Sequence, residues 1–111
     1  MGVLAISELK TMGWKLVGSA TGTTPISLPT DWSELLIYAV DMSYLQSYSF
    51  NVTRDVLDIV STRPFVGGGY SSSAQYWMTV KCSETSVSLS SALANGGTDR
   101  KSNVQVRVYY K

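Results

Sequence analysis

Histidine is absent from this 111-residue chain, and cysteine occurs once, at Cys82. Without an imidazole there is no Ser-His-Asp triad, no Cys-His dyad and none of the usual zinc ligand sets. A single thiol closes no intrachain disulfide, which excludes a disulfide-built secreted scaffold. Charge is scarce as well, with 15% charged residues and a formal net charge of +1. Little field is left to steer a polyanion, so neither nucleic acid nor an anionic membrane is an expected partner. The only adjacent basic pair is Arg100-Lys101. No apolar run is long enough to insert into a bilayer; the longest, around Leu35 to Val40, is far short of a span. Met1 to Ile6 has no basic residues ahead of its apolar ones, unlike a signal peptide.

What the chain does have is hydroxyl groups. Its 17 serines and 10 threonines outnumber its 17 charged residues, and 44% of the chain is apolar. That composition suits one globular domain solvated by neutral polar groups, at a length that supports a core without metal or disulfides.

The apolar residues recur with the period of a strand, not of a helix. Val104, Val106 and Val108 alternate with Asn103, Gln105 and Arg107, the pattern of a strand with one buried and one wet face. Tyr48, Phe50 and Val52 alternate with Ser47, Ser49, Asn51 and Thr53. Tyr76, Met78, Val80 and Cys82 alternate with Gln75, Trp77, Thr79 and Lys81, and Val87 and Leu89 with serines. Trp14 to Ala20 and Thr24 to Leu28 read as further strands, the second starting at Pro25 or lying at an edge, because proline lacks a ladder donor. Leu35 to Val40 is apolar on both faces, so it is central or has one face against a partner chain. It should form a hairpin with the strand through Phe50.

Between these runs lie turn signals. Thr30 or Asp31 is placed to cap a short helical turn through Glu34. Asp55 to Val60 fits a short strand or a helical turn equally. Gly67-Gly68-Gly69 followed by Tyr70 and three serines reads as a mobile surface loop; it lacks the Gly-Lys-Ser/Thr ending of a phosphate-binding loop. Asn95-Gly96-Gly97 supplies a turn with positive φ. The expected fold is therefore all-β: an antiparallel, jelly-roll-like β-sandwich of seven to eight short strands. Residues 1–13 read as an N-terminal arm or junction, and 14–111 as the single sandwich domain.

No residue set predicts an enzyme, a cofactor or a metal. Asp41 interrupts an apolar strand and could join a second carboxylate in glycoside hydrolysis. The plainer reading is a strand end or an ion pair with Arg54 or Arg63. Asp55 and Asp58 are too poorly supported by other oxygen ligands for a calcium loop. Cys82 lies on an inward face and reads as packing. Trp77, opposite Tyr76 and Met78, is the clearest surface candidate. With Tyr70, Tyr44, Tyr109 or Tyr110 it could meet another subunit or stack on a sugar. Leu36, Tyr38 and Val40 are the candidate oligomer interface, whereas Trp14 and Trp32 are expected in the core or at a sheet corner.

Several segments together resemble a known module. They are Gly13-Trp14-Lys15-Leu16-Val17-Gly18-Ser19-Ala20-Thr21-Gly22 with Ile26-Ser27-Leu28-Pro29, the strand Leu35 to Val40, Gly69-Tyr70-Ser71-Ser72-Ser73 with its aromatic strand, and Val104 to Lys111. The module is the small β-sandwich of tail-fibre, head-fibre and related structural proteins of phages and prophages of Gram-positive bacteria. The resemblance spans roughly 13–111 and carries no catalytic signature. It implies a virion-surface domain, made in the bacterial cytoplasm, that is often homotrimeric and contacts a host cell-surface glycan or decorates the particle. A standalone carbohydrate-binding module of a bacterial surface or secreted protein is the alternative.

Overall fold

The computed structural model describes residues 6–43, 46–58, 62–70 and 75–111. One short helix, α1 (Ile6–Thr11), precedes the sheets. Among the described residues nine strands follow: β1 (Lys15–Thr21), β2 (Ile26–Ser27), β3 (Glu34–Asp41), β4 (Gln46–Thr53), β5 (Thr62–Tyr70), β6 (Gln75–Ser83), β7 (Ser86–Ala94), β8 (Thr98–Asp99) and β9 (Val104–Tyr110). They form two sheets. The first has the order β1-β9-β3-β4, and the second runs β2-β7-β6-β5 with β8 paired to β7. Every pairing is antiparallel. The expected all-β sandwich is what the chain forms. At its two ends the chain crosses between sheets, as a jelly roll does. It crosses again between β4 and β5, and the hairpins β3–β4, β5–β6 and β6–β7 are each contained in one sheet.

Strand alternation sets the core. Leu35, Ile37 and Ala39 of β3 and Val104, Val106 and Val108 of β9 face Met78, Val80 and Cys82 of β6 and Val87, Leu89 and Ala92 of β7. Trp32 closes one side, 1% exposed, its indole N–H donating to the Glu84 carbonyl at 2.8 Å. The alternation changes phase within β7: Val87 and Leu89 point inward, and so do Ala92 and Ala94. Two consecutive serines, Ser90 and Ser91, absorb the extra residue, because the register slips between Thr79 and Val80 of β6. Such a bulge leaves a ladder acceptor without its usual partner. The Ser90 hydroxyl fills that role by donating to the Thr79 carbonyl at 3.1 Å.

Two expectations are corrected, and one left open is resolved. Gly67 to Gly69 are not a loop but part of β5, paired with Met78, Trp77 and Tyr76. Glycine carries no side chain, so it hides strand periodicity. Being at a sheet edge, β5 also accommodates Pro64, whose missing donor costs no interior hydrogen bond. No helical turn runs from Thr30 to Glu34; Glu34 already begins β3. The ambiguous stretch from Asp55 is a 3-10 turn over Arg54–Asp58. The Asn95–Gly97 turn does use positive φ, +84° at Gly97.

Residues 6–13 are not separate from the sandwich. α1 lies on the outward face of the first sheet, where Leu9 packs with Trp14, Tyr38 and Tyr109, and Leu36 borders them. Trp14 N–H donates back to the Leu9 carbonyl at 2.9 Å, closing the helix onto β1. A six-residue helix is not stable alone, so its order comes from this packing. Leu9 is fully buried. Leu9→Ala is expected to cost about 2–5 kcal/mol of unfolding free energy. An unchanged urea midpoint would mean that α1 contributes nothing to the domain.

Candidate functional site

Three places bring functional side chains together: a buried carboxylate between the sheets, an aromatic patch on the second sheet, and the outward face of the first sheet.

The carboxylate is Asp41, at the end of β3 and fully buried. Its Oδ2 accepts from the Tyr76 hydroxyl at 2.6 Å and from Arg100 Nε at 3.0 Å. Its Oδ1 accepts from Arg100 Nη2 at 3.1 Å and from the Ser43 backbone N–H at 2.9 Å. The guanidinium fork thus holds both oxygens, the strongest geometry for such a pair. Tyr76 begins β6 and Arg100 follows β8, so one carboxylate joins the two sheets. Burial, and then the hydrogen bond to Asp41, raise the Tyr76 phenol well above its ordinary value. Arg54, anticipated as the partner of Asp41, is elsewhere: its Nη1 donates to the Thr30 and Trp32 carbonyls, both at 2.8 Å, and its guanidinium stacks 5.0 Å from the Trp32 ring centre. The Arg63 side chain lies outside the described residues. Four directional contacts with charged or polar neighbours fit Asp41 for tying sheets together.

The aromatic patch lies on the outer face of the second sheet. Trp77 of β6 is 42% exposed, and its cross-strand neighbour on β7, Leu93, is 40% exposed. On the other side Trp77 pairs with Gly68 of β5. Gly68 places no side chain directly opposite the indole. Tyr70 stands opposite Gln75 at the end of β5, and its side chain is outside the described residues, as is Tyr44 entirely. Sequence reasoning found Trp77. Its partner Leu93 escaped it because the β7 bulge reverses the face on which Leu93 would otherwise fall.

On the first sheet, Leu36, Tyr38 and Val40 do share one outward face, beside Tyr109, Arg107 and Gln105 of β9. Tyr38 and Tyr109 make an edge-to-face pair with ring centres 6.1 Å apart. They are 6% and 2% exposed within the single chain, because α1 and Trp14 lie over them. Burial of these two rings needs no second copy. Tyr110 points to the other side of β9 and packs against the main core, with Lys15 Nζ 5.8 Å from its ring centre. A groove of about 400 Å³ runs along the helix junction between Leu9, Trp14, Leu16 and Tyr109. A second, of about 230 Å³, is lined by Tyr38, Val40, Met42, Gln105 and Arg107. Among the described residues no three metal-ligating side chains gather.

Cys82 is fully buried between the sheets, and burial pushes its thiol from 9.0 up to about 11. The folded state holds this proton more tightly than the unfolded chain does. Its contribution to stability is complete below pH 9 and is lost as pH rises toward about 11. Tyr76 acts in the same direction in alkali. The urea midpoint is therefore expected to fall from pH 9 upward, and a thiol reagent should label Cys82 only after unfolding. Labelling of the native protein at the unfolded rate would contradict this.

Two substitutions probe the buried polar groups. Asp41→Asn leaves Arg100 charged and partly buried without its counter-ion, at a cost of about 3–5 kcal/mol in equilibrium unfolding. Among the described residues the buried Tyr109 hydroxyl has no hydrogen-bond partner, a penalty of about 1–3 kcal/mol. Tyr109→Phe should thus keep or raise the melting temperature. No protein-family model, curated protein sequence or solved structure matches the chain.

Proposed function

We propose that this chain is a non-enzymatic structural or receptor-binding domain of a phage virion, working at the virion surface as a homo-oligomer, with a trimer favoured. The resemblance over residues 13–111 supports that reading. The observation that carries its binding part is the Trp77–Leu93 pair, two large apolar side chains exposed side by side on a rigid sheet. Large aromatics on open surfaces gain most from contact with a partner, because they bury much area at little entropic cost. The engagement of Asp41 by Arg100 and Tyr76 supports a binding role over a hydrolytic one.

A standalone carbohydrate-binding module is the second reading. The exposure of Trp77, directly opposite a residue without a side chain, favours it, since an exposed ring can stack on a sugar. The two readings part on assembly. Sedimentation equilibrium is expected to give a concentration-dependent trimer for the virion domain and a monomer for the module. In a pull-down on Gram-positive cell walls, Trp77→Ala should lose most binding while its melting temperature stays within a few degrees of wild type. Equal retention of wild type and variant would remove Trp77 from the contact.

A further inference from the structure

Arg107 stands in the middle of the first sheet's outward face without an anion. Its backbone pairs with Tyr38 of β3 on one side and Ser19 of β1 on the other. It is half-buried, and among the described residues it makes no ion pair or side-chain hydrogen bond. A guanidinium presents five donors in a fixed plane and stays charged at any physiological pH. The acid nearest along the neighbouring strand, Asp41, points to the opposite side of β3 and is held by Arg100. Of the other acids near the two sheets, Glu34 engages Asn51, Asp55 engages Thr53, Glu84 pairs with Arg54 and Asp99 with Lys101.

The surroundings of Arg107 are mixed in a specific way. Gln105, two residues earlier on β9, adds an amide beside it and pairs with Val40. Val40, the Tyr38 ring and Met42 form an apolar wall, and Met42 is 52% exposed. These residues line the groove of about 230 Å³. That is just below the usual range of small-molecule sites, about 300–1,000 Å³. All but Met42 sit on β3 and β9, the two inner strands of the sheet, so the arrangement is held rigidly before any ligand arrives.

We infer that this groove binds a small carboxylate carried on an apolar body, with the Arg107 fork on the carboxylate and Val40, Met42 and Tyr38 against the body. The charge complement and the one-sided apolar wall select this class. A bare inorganic anion leaves the wall unused, and a neutral apolar molecule leaves the guanidinium unpaired. The site is on the opposite sheet from Trp77 and does not depend on the role proposed for that residue.

Benzoate is a suitable probe, with benzyl alcohol as its uncharged counterpart of similar size. Titration of the full chain followed by two-dimensional NMR should give saturable shifts at Tyr38, Val40, Met42, Gln105 and Arg107. Benzyl alcohol should bind at least about tenfold more weakly, the equivalent of about 1.4 kcal/mol. Arg107→Gln and Arg107→Met should both lose benzoate binding by a similar factor or more while keeping a dispersed spectrum, and either variant alone suffices if the other misfolds. The inference is overturned if wild type shows no saturable shifts there, if benzyl alcohol binds as tightly as benzoate, or if a folded Arg107 variant retains wild-type binding.

Discussion

The structure depends on β9. This strand lies between β1 and β3, so both of its edges are hydrogen-bonded. Its valines fill the core on one face, and Tyr109 holds α1 on the other. Remove it and the first sheet separates into the single strand β1 and the β3–β4 hairpin. Isolated pieces of that size are marginal at best in water. The Lys111 carbonyl extends the anchoring by accepting from the Ser33 and Glu34 backbone N–H groups and from the Ser33 hydroxyl. A strand used on both edges and both faces must be apolar on one side and mixed on the other, which is how Val104 to Tyr110 reads.

Much of this was legible because strand periodicity is local. The inward sets of β6 and β9, the hairpin of β3 with β4, and the burial of Cys82 all follow from alternation. What was illegible involves either residues without a side-chain signature or contacts between distant parts of the chain. The glycines of β5 carry no alternation to read. Arg100 is 59 residues from Asp41, and nothing local in either segment marks them as partners. The two-faced apolar strand β3 left two explanations open, a central position or a partner chain. The structure supplies the first, and adds a cover that a single buried leucine in a short helix scarcely advertises.

The distribution of charge follows one economy. Among the described residues the one buried acid, Asp41, is matched by a basic fork and a phenol, so its charge is compensated inside the fold. Outside, three lysines or arginines lie on or beside aromatic rings: Lys15 at Tyr110, Arg54 at Trp32 and Lys111 at Trp14. Such contacts lay a cation against apolar surface, and Arg54 has in addition an ion pair with Glu84 at 4.0 Å. A chain with few acids can in this way remain well packed while its outward face stays mildly cationic.

The placement of β9 also fixes the order in which the domain can assemble. Lys15 pairs with Tyr110, residues near opposite ends of the described chain. The hairpins β3–β4, β5–β6 and β6–β7 join close neighbours, and their loop-closure entropy is small. Closure of the first sheet must wait until β9 enters the slot between β1 and β3, the step with the largest sequence separation. Topologies rich in pairings so distant in sequence fold slowly compared with helical domains of similar size. Until β9 inserts, the facing edges of β1 and β3 are unpaired in the same molecule, which makes the interval before insertion the one in which strands of neighbouring chains compete for the same slot.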